Sequence, residues 1–273
     1  MGGSLEYTGA PFYCAMTALR MGADLAHVFC HRDAAIPLKT YSPELIVHPL
    51  LDAADPLTEL EEWLPRLHAL VLGPGLGRRP QTFATLGHVL EAAKDRQLLL
   101  VLDADALFYL NENYDTIQGY SNALLTPNKV EFARLYRAVM KADMRAEGVT
   151  AEHVQQVATR LASPSPAREP WTSSPAGMAW CAARWLAPST LRRPGRRAER
   201  RSSHPSVLGL RHRGRHAGAA HLPATVLAGW GACALTRRAA SLAFSQRGRG
   251  TLTTDMLPCI SQAFNSLFEG KTK

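Results

Sequence analysis

Three short apolar runs, each ending at glycine or polar residues, constrain the fold of this chain more than any other feature. They are Leu70–Leu72, Leu98–Leu102 and Ala123–Leu125, and stretches with helical periodicity separate them. The connections are too long for hairpins, so neighbouring strands have to run in parallel. The sequence therefore predicts an α/β fold with a mainly parallel central sheet and helices on both of its faces.

The residues that follow the three runs are typical of a ligand site, because ligands of open parallel sheets bind outside the carboxyl ends of the strands. Alternating glycines favour positive φ angles, and a loop that opens a helix can hold an anion. The glycines match neither the dinucleotide-binding nor the Walker pattern, so a tight strand-to-helix turn explains them equally well. The three segments are Gly73-Pro74-Gly75-Leu76-Gly77-Arg78, Asp103-Ala104-Asp105 and Thr126-Pro127-Asn128.

Further elements precede and follow these strands. We expect a helix from Thr8, as its N-cap, to Gly22, as its C-cap, because Pro11 suits a first turn. Other expected elements are strands at Leu25–Cys30 and Glu44–His48, a helix at Val130–Met140 and a last helix from Thr253 to Phe268.

The net charge of +8 is confined to an Arg-rich window, residues 163–222. This window contains eleven arginines, no lysine and two acidic residues, which gives it a charge of +9. Trp171, Trp180 and Trp185 interrupt it, and neither helical nor strand periodicity persists. Clustered arginines with tryptophans also occur in proteins that bind RNA or another polyanion, but regular spacing is lacking. We expect a disordered window inside one domain that spans residues 1–273, and no specific nucleic-acid partner.

The five cysteines are odd in number and scattered, which favours a reduced protein of the cytoplasm or mitochondria. We expect no targeting segment and no membrane partner, because no apolar run reaches the length of a membrane span. His27, Cys30 and His31 lie close in sequence. Strand alternation places Cys30 opposite the histidines, so we expect no metal site.

Taken together, these segments resemble the ATP- or ADP-dependent NAD(P)H-hydrate dehydratases of the ribokinase-like superfamily. The resemblance covers roughly residues 1–160 and 223–273, and the motifs stand in the family's order. Besides the three strand endings, with the last extended to Phe132, the matching segments are Glu6-Tyr7-Thr8-Gly9-Ala10-Pro11, Gly22-Ala23-Asp24-Leu25, Tyr41-Ser42-Pro43-Glu44-Leu45 and Thr253-Thr254-Asp255-Met256.

The resemblance implies a nucleotide-repair lyase that dehydrates (S)-NADHX or (S)-NADPHX, the hydrated forms of NADH and NADPH, with ATP and Mg²⁺. It implies a hydrated-nucleotide pocket that is lined by Gly77, Asn128, Lys129, Val130, Glu131, Phe132, Ala133 and Arg134. Further candidates for the pocket are Gly75, Asp103, Asp105, Thr8 and Gly9.

Simple chemistry agrees with two of these assignments. Asn128 offers a donor and an acceptor to an amide-bearing ring, and Arg134 offers a planar fork to phosphate. The alternatives are a helix cap for Asn128 and a solvent-exposed helix face for Arg134. A ribokinase-like small-molecule kinase and a homo-oligomer also remain open.

Two family elements are absent from the sequence. One is the strand that precedes the opening glycines, so the first strand of the sheet is expected to be missing. The other is a Lys-Gly segment followed by Gly-Gly-Gln-Gly-Asp, in which glycine N–H groups hold phosphate and the aspartate is the catalytic base. Back-translation of Thr190–Ser202, read one base later, allows R-C-G-G-Q-G-D-V-L-S-G-A-L. A frameshift over the Arg-rich window would therefore explain the loss, and we expect little activity from the chain as written.

Overall fold

The computed structural model describes residues 1–162 and 224–269. Five strands, all paired in parallel, form a two-stranded sheet of order β1-β2 and a three-stranded sheet of order β3-β4-β5. The predicted parallel α/β fold is confirmed. The strands are β1 (Ala26–Cys30), β2 (Leu45–Pro49), β3 (Ala69–Leu72), β4 (Leu99–Leu102) and β5 (Ala123–Leu125).

One helix precedes the first strand, and the other helices connect the strands or follow the last one. They are α1 (Gly9–Arg20), α2 (Arg32–Tyr41), α3 (Pro56–Trp63), α4 (Pro80–Asp95), α5 (Asp105–Asn113), α6 (Lys129–Met140), α7 (Ala151–Ala162), α8 (Ala224–Arg247), α9 (Thr253–Met256) and α10 (Ile260–Phe264). None of the described helices is long and apolar enough to cross a membrane.

The C-terminal helix differs from its prediction. A single helix was expected from Thr253 to Phe268, but a 3₁₀ turn at Leu257–Cys259 separates α9 from α10, and a π turn follows at Asn265–Glu269. The break coincides with Pro258, which has no N–H group and whose ring hinders the preceding helical turn.

The start of α1 is close to its prediction, with Thr8 at the N-cap. The hydroxyl of Thr8 does not cap the helix, however; it forms a 2.9 Å hydrogen bond with the hydroxyl of Tyr41. The C-cap is Met21, and Gly22 follows it with φ +101°. Glycine adopts this left-handed backbone conformation without the steric cost that a side chain would add, so it suits the end of the helix.

Residues 1–4 lie between the two sheets and bridge them. The amino group of Met1 donates to the carbonyl oxygen of Val71 at 2.8 Å, and the N–H of Gly73 donates to Met1 at 3.1 Å. On the other side, the N–H of Gly2 donates to Phe29 at 2.9 Å. A short segment outside the five strands thus bonds to both sheets, where the sequence predicted that the first strand is missing.

Two hydrophobic cores support the two sheets. The larger core contains 31 buried residues and extends from β3, β4 and β5 into α4, α5, α6 and α7, whereas the smaller one contains 8 residues of β1, β2 and α2. Met1 and Phe29 belong to the larger core although they lie beside β1 or within it. The three-stranded sheet therefore rests on the larger of these two cores.

Candidate functional site

The glycine loop after β3 requires glycine for steric reasons. Gly73, Gly75 and Gly77 have φ angles of +112°, +63° and +80°, as the alternating pattern predicted. A Cβ atom on Gly73 would lie 1.9 Å from the carbonyl oxygen of Asp103, and one on Gly75 would lie 2.7 Å from that of Tyr7. The loop is therefore held against β4 on one side and the N-terminal segment on the other.

Three N–H groups of this loop are already bonded within the protein. Gly73 donates to Met1, Leu76 donates to Gly73 at 3.0 Å, and Gly77 donates to Oδ2 of Asp105 at 2.9 Å. These bonds match the tight turn, the simpler of the two explanations that the sequence allowed. A carboxylate of the protein occupies the position in which Gly77 would otherwise meet an anion.

Asp105 connects the loop to a cation. Its Oδ1 atom accepts a 2.8 Å bond from Nε of Arg78, and the guanidinium of Arg78 lies 4.0 Å from the ring centroid of Phe108. Asp105 is the first residue of α5, where the helix dipole favours a negative charge. Ala104 precedes it with φ +49°, a strained angle for a residue with a side chain.

A small cavity of about 70 Å³ joins the ends of β4 and β5. It brings together three predicted site residues, Asp105 from α5 and Glu131 and Arg134 from α6, and adds Asn111. The side-chain oxygen of Asn111 is buried and has no hydrogen-bond partner in the described part of the chain. An unpaired acceptor beside two arginines, Arg78 and Arg134, suits a ligand that carries both donor and anionic groups.

The N-terminus of α6 is a capping box. The side-chain oxygen of Asn128 accepts bonds from the N–H groups of Val130 (2.9 Å) and Glu131 (3.0 Å), and Glu131 accepts from the N–H of Asn128 at 2.7 Å. The oxygen of Asn128 therefore serves the helix, as the alternative interpretation held. Its amide nitrogen has no hydrogen bond to any described residue, and Asn128 is exposed.

The remaining predicted residues of α6 differ in exposure. Lys129, Val130 and Arg134 are exposed, whereas Phe132 and Ala133 are buried in the larger core. Of these three exposed residues, Arg134 lines the cavity and can contact a ligand there through its side chain. Any contact with Phe132 or Ala133 would have to use the backbone.

The N-terminal segment adds a residue that the sequence did not reveal as a candidate. Ser4 is buried, its hydroxyl has no partner among the described residues, and a Cβ atom on Gly77 would lie 3.8 Å from that hydroxyl. Thr8 and Gly9 begin α1 nearby, but the Thr8 hydroxyl is directed to Tyr41 rather than to Gly77. A Ser that follows two glycines at the start of a matching motif was the one available signal for Ser4.

His27 and His31 do not form a metal site with Cys30. His27 Nδ1 lies 2.9 Å from Nε2 of His48, and His31 Nε2 lies 3.2 Å from the Thr82 hydroxyl. Burial lowers the pKa of all three histidines, so their neutral forms are favoured. Within residues 1–162 and 224–269, no three His, Cys, Asp or Glu side chains converge as metal ligands.

Comparison with known proteins decides the family. Residues 1–163 match the family model described as NAD(P)H-hydrate dehydratase. The chain is 40% identical over 273 residues to the ATP-dependent (S)-NAD(P)H-hydrate dehydratase of Rattus norvegicus, and the match covers 98% of this chain and 78% of that protein. The chain belongs to the NAD(P)H-hydrate dehydratase family.

Other relatives agree. The Homo sapiens protein of the same name is 39% identical over 98% of this chain and 77% of its own length. The Drosophila melanogaster protein is 50% identical, but over 55% of this chain and 52% of its own length. A solved ribokinase-like superfamily protein from Enterococcus faecalis V583 superposes with a TM-score of 0.50 at 23% identity and covers 59% of this chain and 52% of that one. This likeness confirms the ribokinase-like fold.

The family model ends where the Arg-rich window begins, at residue 163. The window lies outside the described residues, and so do the predicted disorder and the shifted frame that were assigned to it.

Proposed function

We propose that this chain is an ATP-dependent (S)-NAD(P)H-hydrate dehydratase whose substrate binds at the carboxyl ends of β3, β4 and β5. The observation that carries the proposal is the convergence of Asp105, Glu131 and Arg134 around one cavity, with the N–H of Gly77 bonded to Asp105. Relatives named for this activity, at about 40% identity over nearly the whole chain, favour it over the small-molecule kinase.

In the proposed reaction, ATP phosphorylates the hydroxyl on the hydrated nicotinamide ring. The hydroxyl proton passes to a base, phosphate then leaves with the C–O bonding electrons, and loss of a proton from the adjacent ring carbon restores the double bond. ATP would supply the phosphoryl group, and Mg²⁺, when bound to its phosphates, would neutralise part of their charge. Mg²⁺ commonly binds through substrate phosphates and few carboxylates, which fits a chain whose described residues form no metal-ligand cluster.

The described residues supply the binding half of this chemistry. Arg134 is exposed on α6 and is the cation best placed for the dinucleotide phosphates, because Arg78 is already paired with Asp105. The amide nitrogen of Asn128 and the unpaired hydroxyl of Ser4 would hydrogen-bond polar groups of the ring or ribose. Gly77 has no side chain beside the Ser4 hydroxyl, so a ligand could approach that hydroxyl past the loop, whereas Gly75 is packed against Tyr7.

We expect the chemical step to be severely impaired in the chain as written. Phosphoryl transfer needs donors aimed at the nucleotide phosphates and a base within reach of the attacking hydroxyl. A general base alone accelerates such steps by about a hundred- to ten-thousand-fold. The sequence places Arg192 and Arg193 where the family has two glycines and Arg196 where it has the aspartate, and arginine cannot accept a proton at neutral pH.

The test is recovery of NADH absorbance from its hydrate in the presence of ATP and Mg²⁺. The full chain is compared with one in which residues 190–202 carry the translation that is read one base later. We expect substantial turnover from the restored chain only. Calorimetry should still detect binding of the hydrate to the unaltered chain, with weaker binding of ATP. Equal turnover by both chains would refute the assignment of the base, and tight ATP binding without hydrate binding would refute the proposed site.

Three further features belong to the same proposal. Residues 1–273 form one domain, which self-associates into a homo-oligomer, and the protein works in the cytoplasm or mitochondria. The described cysteines, Cys14, Cys30, Cys233 and Cys259, form no disulfide with one another, as suits those compartments. Sedimentation of the purified chain tests the oligomer, and fractionation of cells tests the compartment.

A further inference from the structure

The side-chain oxygen of Asn111 lies in the small cavity at the ends of β4 and β5 without a hydrogen bond. It is shielded from solvent and accepts from none of the described residues. A buried amide oxygen of this kind has lost its hydration and gained nothing in return, which is unfavourable in the free protein. Such groups are rare in folded proteins and call for an explanation. The oxygen of Asn111 therefore indicates a hydrogen-bond donor that comes from a ligand.

Two packed helices form the cavity. Asp105, Phe108 and Asn111 follow one another at intervals of three residues on α5, and Glu131 and Arg134 have the same spacing on α6. Residues three apart are neighbours on a helix surface, so each helix contributes one side of the cavity. Groups that are fixed on helices are held more precisely than groups on loops. The cavity is therefore suited to recognise the shape of a small group.

The charges around the cavity cancel formally. Arg78 and Arg134 line it together with Asp105 and Glu131. Nε of Arg78 bonds to Asp105 at 2.8 Å, and the guanidinium lies 4.0 Å from the ring centroid of Phe108. The terminal nitrogens of Arg78 have no hydrogen bond to a described residue and can still donate. Two cations beside two carboxylates favour a neutral group that both donates and accepts, rather than an anion.

The volume of the cavity limits this group further. Water occupies about 30 Å³ in the liquid, so a cavity of about 70 Å³ has room for about two or three non-hydrogen atoms. A primary carboxamide has three, with N–H donors on one side and a carbonyl oxygen on the other. Phosphate is larger and is charged at neutral pH, and an aromatic ring is larger still. A carboxamide therefore matches the cavity in size, charge and hydrogen bonding.

We propose that the cavity binds the carboxamide of the hydrated nicotinamide ring, and that Asn111 determines specificity for it. The oxygen of Asn111 accepts from the carboxamide N–H, and the terminal N–H groups of Arg78 donate to the carbonyl oxygen. The exposed Arg134 at the rim remains available to the phosphates of the dinucleotide. This inference rests on the proposed function and adds which part of the substrate the cavity holds.

Two dinucleotide analogues separate the possible donors of the substrate. In the 3-acetylpyridine analogue, a methyl group replaces the carboxamide NH₂ group and the carbonyl remains. In the hypoxanthine analogue, an oxygen replaces the amino group of adenine. Calorimetry measures binding of the full chain to the hydrates of NADH and of both reduced analogues. We expect the acetyl hydrate to bind about tenfold more weakly than NADH hydrate, because Asn111 stays unpaired, and the hypoxanthine hydrate to bind equally well.

Three variants assign this preference to one atom. Asn111→Leu removes the oxygen and should bind NADH hydrate about tenfold more weakly, so that it no longer prefers NADH hydrate to the acetyl hydrate. Asn111→Asp retains an acceptor and should keep the preference. Asn113→Leu is the matched control, because Asn113 does not line the cavity and bonds to the carbonyl oxygen of Tyr109 in its own helix. Thermal denaturation checks the fold, and Asn111→Leu should not lower the melting temperature, since it removes an unpaired buried acceptor.

An unchanged preference in Asn111→Leu would overturn the inference. If NADH hydrate still binds and Arg134→Ala weakens its binding, the proposed function would remain standing in that case. Much weaker binding of NADH hydrate to Asn111→Asp would show that Asn111 donates rather than accepts, which would also overturn the inference. A preference against the hypoxanthine hydrate that Asn111→Leu abolishes would assign the cavity to the adenine amino group instead. No binding of NADH hydrate to the unaltered chain would overturn both the inference and the proposed site.

Discussion

The strands β3, β4 and β5 rest on a core that continues through four helices, whereas β1 and β2 share a core about a quarter of that size. The residues of the candidate site follow the same division. Gly77, Asp105 and Arg134 belong to the three-stranded side, and the two-stranded side meets it through residues 1–4 and Phe29. The proposed ligand contacts therefore lie on the side of the molecule that has the larger core, which suits a site that needs fixed polar groups.

The largest expected effect comes from breaking the three-stranded side at Gly73. In Gly73→Ala, a methyl group would overlap the carbonyl oxygen of Asp103 at 1.9 Å and would have to adopt a positive φ. We expect a loss of about 3–5 kcal/mol of unfolding free energy, because the overlap involves backbone that cannot move cheaply.

Urea denaturation measures this loss. Gly148→Ala is the matched control, since nothing lies within 4 Å of its Cβ position, and it should change stability by less than about 0.5 kcal/mol. Similar small losses in both variants would mean that the loop after β3 is not rigid.

The seam between the two sides should respond to pH. The pKa of the Met1 amine is lowered to about 6 in the folded chain, so the unfolded chain binds this proton more tightly. The free energy of unfolding is therefore highest above pH 8. It decreases as the pH falls from 8 to 6, because the unfolded chain takes up the proton first. Two pKa units correspond to about 2–3 kcal/mol.

Comparison of the chain whose N-terminus is Met1 with its Nα-acetylated form isolates this effect in denaturation curves between pH 6 and 8. His27, His31 and His48 also have lowered pKa values, but they reduce stability only as the pH falls below 6.5, and equally in both forms. Parallel pH profiles for the two forms would contradict the burial of the amine.

Substrate binding should depend on the three-stranded side. Arg134→Ala is expected to weaken binding of the NADH hydrate by about 1–3 kcal/mol if its guanidinium pairs with phosphate. Arg137→Ala is the control, one turn further along α6, where the guanidinium pairs with the exposed Asp143. Calorimetric titration of both variants measures the effect. An unchanged affinity in Arg134→Ala would mean that Arg134 is a solvent-exposed helix residue that does not bind the ligand.

The smallest expected effect distinguishes two roles of the Asn128 side chain, which are capping of α6 and binding of the ligand. Asn128→Asp keeps the oxygen that caps α6 but removes the amide nitrogen. We expect helix stability to change by less than about 0.5 kcal/mol and affinity for the hydrate to fall by about 1 kcal/mol. Asn128→Ala would remove both functions and cost about 1 kcal/mol in stability as well. Unaltered hydrate affinity in Asn128→Asp would leave Asn128 as a cap alone.

The fold could be predicted because its signals are local. Apolar runs of strand length, glycines at alternate positions and the Asn128–Glu131 spacing each specify nearby backbone. The site was predicted less completely. Whether the oxygen of Asn128 faces a ligand or its own helix depends on a capping box, and whether a glycine N–H is available depends on Asp105, 28 residues away. Ser4 could be recognised as a candidate site residue only from the structure, which places it beside Gly77.

The place of residues 1–4 also sets an order of events in folding. Their hydrogen-bond partners lie about 30 residues later, at Phe29 and His31, and 70 residues later, at Val71. The helices and the β1–β2 pair can form from nearer contacts, and closing the longer loop costs more entropy. During synthesis this segment can therefore bond to Phe29 and His31 first, and its bonds to Val71, Gly73 and Gly75 form only after the chain has grown past Gly75.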